Sequence, residues 1–308
     1  MFDYDAVIVG GGPAGLTAGI YLSRAGWRTI ILEQESYGGY LKKIEWIENY
    51  PGFSKGISGN DLAAEMVNQA QEYGVQLEPG EVASIEIFSK TRFVGCTTGQ
   101  GYTTAVVIIA GGCRQKKLGV PGEELLLGKG VFSCALCDGG HFADKLVAIC
   151  GGGDGGVTEA LYMSKLASKV YLIEAEPKLT ASAVLQARVK DNPKIEILCG
   201  TRVQEILGKT QVEGLSCLQT AEDKTMTLDV EGVLVHIGLD PNTSYLEGII
   251  PLNEEERVDV CSDMGSEVPY IFAAGDIRSG SPGQVVTAVG DGATAAISAQ
   301  RLLQQMNT

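Results

Sequence analysis

Cys134 and Cys137 stand two residues apart in the run VFSCALCDGGHF, with Asp138 directly behind them. Two thiols at this spacing can close a small ring, and opening that ring takes up two electrons. Attack on another disulfide requires a thiolate and passes through a mixed disulfide, so an adjacent acid that moves protons suits such a pair. A C-x-x-C can also be half of a zinc site. Here a second C-x-x-C is absent and the only histidines are His141 and His236, so no metal is expected. His141 lies near enough to assist proton transfer, but capping or packing is the simpler expectation.

The elements that must position this pair come in two similar copies. The segment YDAVIVGGGPAGLTAGIYLSRAGWRTIILEQ reads as a buried strand, a glycine turn, an amphipathic helix and a second strand ending in an acid. KLVAICGGGDGGVTEALYMSKLASKVYLIEAE reads the same way. Gly10, Gly12 and Gly15 make the first G-x-G-x-x-G set and Gly151, Gly153 and Gly156 the second; Glu33 follows Gly10 by the same count that separates Glu174 from Gly151. Such glycines let a dinucleotide pyrophosphate approach backbone N–H groups at a helix start, while the acid accepts from ribose hydroxyls. The bland alternative for each copy is a tightly packed helix–strand turn without a ligand.

Strand-like runs complete each unit: GVQLEPGEVASIEIF, RFVGCTTG and GYTTAVVIIAGG after the first, IEILCGTRVQEILG, VEGLSCLQT and KTMTLDVEGVLVHIG after the second. The last part, from VPYIFAAGDI onward, reads as a strand, a Gly-Asp turn and a helix without a third fingerprint, and is expected to return to the first domain.

The chain has 308 residues, enough for two cores. Glycine takes 41 positions, about twice its usual share of roughly 7%, grouped with apolar runs as tight turns between buried strands require. A formal net charge of −14 repels nucleic acid and anionic membranes, so neither is an expected partner. MFDYDAVIVGGG carries acids where a signal peptide needs positive charge, and no apolar run reaches the roughly 18 residues of a membrane span, so a cytoplasmic location is expected. In that compartment the remaining cysteines, Cys96, Cys113, Cys150, Cys199, Cys217 and Cys261, are expected to be small buried hydrophobes.

At these residues the sequence resembles low-molecular-weight thioredoxin reductases, FAD-containing flavin disulfide reductases, over nearly its whole length. VIVGGGPAGLTAGIYLSRAG resembles the FAD pyrophosphate turn, ENYPGF a flavin-side loop, VVIIAGG the strand returning to FAD, CALCDG the redox motif, IGLDPNT the exit from the second domain, and FAAGDI the closing flavin contact. The resemblance implies an α/β fold of two Rossmann-like dinucleotide-binding domains, the second inserted in the first. The FAD-binding domain would span 1–116 and 246–308, and an NAD(P)H-binding-like domain carrying the redox pair would span 117–245. It also implies a homodimer, a thioredoxin-like partner, and a second domain that rotates to expose the disulfide.

Carried over residue by residue, Cys137 would take electrons from the flavin, Cys134 would attack the partner disulfide, and Asp138 would supply and remove the proton. FAD would lie against Gly10, Gly12, Pro13, Ala14 and Gly15, with Glu33 and Gln34 at the adenosine ribose. Further contacts would come from Gly39, Tyr40, Leu41 and Asn49, and from Val82, Ala110 and Gly111. Gly275 and Asp276 would hold the ribitol, and Gln284 with Val285 would lie near the flavin pyrimidine. A second nucleotide would rest on Gly151, Gly153, Asp154 and Gly156, with Glu174 at its ribose.

Several positions depart from the family pattern. NADPH-dependent members carry arginines after the second strand of the second unit, whereas this chain has IEAEPKL, with Glu174 and Glu176. A carboxylate accepts a ribose 2′-hydroxyl and repels a 2′-phosphate, so NADPH is disfavoured and NADH or a reduced ferredoxin is expected as donor. Plant-type ferredoxins near −400 mV leave ~6 kcal/mol for two electrons against a thioredoxin dithiol near −270 mV, so energy does not choose between them. An acidic ferredoxin would need a basic patch, which Arg114, Lys116 and Lys117 with Lys42 and Lys43 would offer unless they are plain solvated surface. The usual serine-alanine after the second turn is Gly155-Gly156, expected to loosen the helix start. Tyr40 replaces a glutamine, where it would stack on or gate a flavin or pack its loop, and Gly283 replaces an arginine that serves domain rotation. An FAD-dependent dithiol oxidase and a redox-sensing flavoprotein without turnover remain alternatives.

Overall fold

The computed structural model describes residues 2–306. Two compact units are present: one takes the chain up to Arg114 and from Pro241 onward, the other is Gln115–Asp240. Each crossing falls slightly earlier than the bounds the resemblance implies, 116/117 and 245/246. The short strands β7 (Cys113–Gln115) and β16 (Leu239–Pro241) straddle the crossings, so no polar linker marks them.

The first unit opens with β1 (Tyr4–Val9), α1 (Pro13–Arg24) and β2 (Thr29–Glu33), followed by α2 (Gly59–Glu72) and β3 (Gln76–Pro79). A meander of β4 (Val82–Phe88), β5 (Thr91–Cys96) and β6 (Gly101–Ile109) completes this stretch. β1 pairs in parallel with β2 and β6, and β2 with β3. Val7 and Val9 face one core while Ala6 and Ile8 face another, so the AVIV part of β1 is apolar throughout because both faces of its sheet are covered.

The second unit contains β8 (Val131–Phe132), the single turn α3 (Ala135–Asp138), β9 (Leu146–Cys150), α4 (Asp154–Leu166), β10 (Lys169–Glu174), α5 (Ala183–Lys190) and β11 (Ile195–Cys199). β12 (Thr201–Leu207), β13 (Gly214–Gln219) and β14 (Lys224–Leu228) form a separate antiparallel sheet before β15 (Gly232–Val235). The main sheet is parallel, in the order β11-β10-β9-β15-β8. Its four strands β11-β10-β9-β15 repeat the order of β3-β2-β1-β6, as two homologous Rossmann units should. Back in the first unit, β17 (Ile271–Ala273) pairs in parallel with the end of β6, and α6 (Val285–Met306) packs on α1. The closing strand, turn and helix thus return to the first domain. Among the described residues no helix is long and apolar enough to cross a membrane.

One sequence expectation is corrected by packing. Cys96, Cys150 and Cys217 are buried, but Cys113 and Cys199 are only partly covered and Cys261 is exposed on a turn outside any strand. At the pair expected to loosen the start of α4, a Cβ on Gly156 would stand 1.9 Å from the Gly151 oxygen, and one on Gly155 would stand 2.1 Å from His236 Nε2, so backbone packing requires glycine at 156 and the His236 ring fills the space at 155.

Candidate active site

In the second unit Cys134 and Cys137 form a disulfide, with their Cα atoms 5.3 Å apart. Cys134 is the N-cap of α3, and its Sγ accepts the Cys137 N–H at 3.1 Å. Cys134 is 4% exposed, whereas Cys137 is exposed and Asp138 partly so. His141 directs Nδ1 at the Asp138 carbonyl, 3.2 Å away, which is the capping arrangement. Glu159 of α4, which no spacing in the sequence singles out, accepts the Ala135 N–H at 2.8 Å and ties the redox turn to the helix behind it.

Below this turn, Gly151 ends β9 at φ +119° and Gly153 caps α4 without a side-chain bond. Glu174 accepts the Gly152 N–H at 2.6 Å on one oxygen and the Glu176 N–H at 2.9 Å on the other. Asp154 Oδ1 accepts the Ser182 N–H at 2.6 Å, and Thr180 N and Ala181 N donate to the Gly152 oxygen, so the loop after β10 is fastened to the turn. The Glu176 side chain is exposed. Lys116 pairs with Asp240 and Lys117 with Glu124, which reduces the positive surface offered by that stretch.

The first unit repeats the geometry. Glu33 accepts the Gly11 N–H at 2.7 Å and the Glu35 N–H at 2.8 Å, leaving a further lone pair on each oxygen for a ribose hydroxyl. Gly10 turns at φ +103° against the Ala110 carbonyl, and Gly15 lies on the Gly10 oxygen. Pro13 opens α1, and the side chain of Ala14 is buried. Over Gly12, the uncapped N-cap of α1, a Cβ would meet nothing within 4 Å. Gly39 begins a short 3-10 turn beside Gly12; within it Tyr40 is partly buried, with Lys43 Nζ 6.0 Å from its ring, and Leu41 is core. Gln34 is exposed, while Val82 is buried just past the corner where Gly80 N–H reaches the Glu33 carbonyl.

At the other end of this unit, Asn49 Nδ2 donates to Gln284 Oε1 at 2.9 Å just ahead of Val285, the first residue of α6. Gly275 is followed by Asp276, which accepts the Ser281 hydroxyl at 2.9 Å and whose carboxyl is pushed up by burial. The Tyr245 hydroxyl is buried without a partner and lies 3.4 Å from the Cβ position of Gly111, a polar group left for a ligand or water at that corner. Tyr37 lies over Gly11 and also has a buried, unpaired hydroxyl; burial, with Glu33 and Glu78 nearby, pushes it up to about 12. Neither tyrosine is distinguished by sequence spacing. An open, uncapped glycine turn, an oriented carboxylate and an unpaired phenol fit an FAD molecule.

The family model described as pyridine nucleotide-disulphide oxidoreductase matches residues 4–292. A thioredoxin reductase of Bacillus subtilis (strain 168) is 38% identical over 98% of this chain and 96% of its own length. The chain belongs to the low-molecular-weight FAD thioredoxin reductases. Solved members include that of Lactococcus lactis, at TM-score 0.96 and 32% identity over 98% of this chain and 100% of the other. A second, from T. acidophilum, gives 0.93 and 33% over 99% of each. The family's two-domain α/β fold accounts for the repeated glycine turns and for the redox pair lying between them in sequence.

Proposed function

We propose that this protein is a flavin-dependent thioredoxin-disulfide reductase driven by NADH. The observation that carries the reading is the Cys134–Cys137 disulfide, set on its own helical turn in the unit with the second glycine fingerprint. Bound FAD, held by the Gly10–Gly15 turn, Glu33, Asp276 and the Asn49–Gln284 pair, supplies the redox chemistry that joins nucleotide to disulfide.

One hydride equivalent from NADH and one solvent proton open the Cys134–Cys137 bond to two thiols. Cys134, as thiolate, attacks the thioredoxin disulfide, and one thioredoxin sulfur leaves with a proton. Cys137 then attacks Cys134, which restores the internal disulfide and releases reduced thioredoxin. The Cys137 N–H that points at Cys134 Sγ favours the charged form of that sulfur, which supports Cys134 as the attacking thiol. Its burial means that attack requires the redox turn to become accessible. Asp138, next to Cys137, is placed to move the protons.

Glu174 supports NADH over NADPH. Its two backbone bonds hold the carboxylate at the strand end where a ribose would lie, and an anion there repels a 2′-phosphate. Anaerobic titration of the flavin with NADH, NADPH and reduced ferredoxin, followed by thioredoxin turnover, tests the proposal. Bleaching by NADH at far lower concentration than NADPH is expected. Bleaching by ferredoxin alone would replace the donor, and oxygen consumption with a small dithiol but no thioredoxin turnover would make the chain an oxidase. Sedimentation of the holoenzyme tests the homodimer that goes with this reading.

A further inference from the structure

The two units share a corner that is filled differently in each. A Cβ on Gly10 would stand 2.3 Å from the Ala110 oxygen, and one on Gly151 would stand 2.0 Å from the His236 oxygen. Ala110 and His236 therefore hold the same station, just past the central-strand neighbour at the carboxyl end of each sheet. In the second unit this is where β15 lies beside β9 and the strand order reverses, the place where doubly wound sheets bind ligands. The fifth position of each glycine turn is equivalent too, Ala14 in the first and Gly155 in the second. Two alanines at one corner are thus matched by a glycine and a histidine at the other.

The exchange conserves space. The imidazole takes the volume of a side chain at 155, with Nε2 2.1 Å and Cε1 2.7 Å from the Cβ position. Nε2 accordingly stands close to where a serine at 155 would carry its hydroxyl. Nδ1 is sealed from solvent and pairs with nothing. A buried N–H without an acceptor is rarer than an unmatched lone pair, so the proton of the neutral ring belongs on Nε2. Burial holds this histidine below its ordinary value, which keeps the ring neutral at pH 7. A single N–H donor therefore stands at the first turn of α4, whose cap residue Gly153 brings no side-chain bond.

We propose that His236 is a ligand-binding residue of the second nucleotide turn, its Nε2–H donating to the dinucleotide pyrophosphate in place of the side chain that residue 155 cannot carry. The inference rests on the reading of Gly151–Gly156 as a nucleotide site and identifies the residue that completes it.

The test uses holoenzyme labelled with 15N-histidine and three probes: NAD⁺, ADP-ribose and AMP. With two histidines in the chain, His141→Gln assigns the ring signals. Saturating NAD⁺ or ADP-ribose should shift the His236 ring signals and leave those of His141 in place, while AMP, which lacks the pyrophosphate, should shift neither. His236→Leu, which fills space without a donor, should weaken NAD⁺ and ADP-ribose about tenfold or more with AMP binding and the flavin spectrum unchanged. Gly155→Ser alone collides with the ring and should bind worse than wild type, whereas combining it with His236→Ala should recover most of the affinity. Ring signals that stay fixed at NAD⁺ saturation, or a Leu variant that binds like wild type, would overturn the inference while the nucleotide reading survives. Failure of wild type to bind NAD⁺ or ADP-ribose at all would overturn that reading and this inference with it.

Discussion

Asn49 and Gln284, 235 positions apart in sequence, meet through a 2.9 Å hydrogen bond from the Asn49 amide to the Gln284 carbonyl. The bond fastens the loop that follows the first 3-10 turn to the entry of α6, two segments proposed above to hold the flavin. Because the pair is exposed, its coupling should be modest, about 0.5–1 kcal/mol in a double-mutant cycle of Asn49→Ala and Gln284→Ala. FAD dissociation followed by fluorescence should show both single variants releasing flavin faster, with non-additive effects in the double. Strict additivity would mean that the two residues act on flavin separately.

The glycines of the first turn should divide into ligand and packing positions. Gly12 has extended backbone and open space above it, so Gly12→Ala should keep the Tm of the flavin-free protein yet hold FAD at least about tenfold more weakly. Gly15→Ala would drive a methyl into the Gly10 carbonyl, 1.9 Å away, and should cost more than about 3 kcal/mol of stability. Thermal unfolding beside flavin content after gel filtration separates the two effects.

Trapping distinguishes the two sulfurs. Mixed with a thioredoxin variant that retains only its attacking cysteine and is activated as an aromatic disulfide, Cys137→Ser should accumulate a stable mixed disulfide through Cys134. Cys134→Ser should trap little. Mass spectrometry reads the adduct, and the reverse pattern would assign attack to the more exposed Cys137.

Asp276 gives a pH signature in flavin-free protein. Burial raises its folded-state pKa above the ordinary carboxylate value of 3.8, so the unfolded chain releases this proton first. The folded state therefore loses relative stability as pH rises from about 3.8 through the raised value. Asp276→Asn should remove that loss, so its denaturation midpoint should fall less than that of wild type between pH 4 and pH 7. The same variant should retain FAD less well if, as proposed, this carboxylate holds the ribitol.

The amino-acid sequence by itself determined the two glycine turns, their acidic partners and the redox pair, because each depends on backbone geometry within one strand–turn–helix unit. Gly10 must turn at positive φ, Gly15 must admit a carbonyl, and Glu33 must reach the Gly11 N–H wherever this local unit forms. The C-x-x-C spacing likewise suffices to close the Cys134–Cys137 ring. Only the tertiary structure decided that Glu159 caps the redox turn, that Tyr245 leaves an unpaired hydroxyl at Gly111, and that His236 fills the space above Gly155. Those relations join residues that are distant in the chain or on different elements. Side-chain volume and unmet hydrogen-bonding capacity select them once the sheets and helices have packed, and neither quantity has a period or spacing that can be read in one dimension.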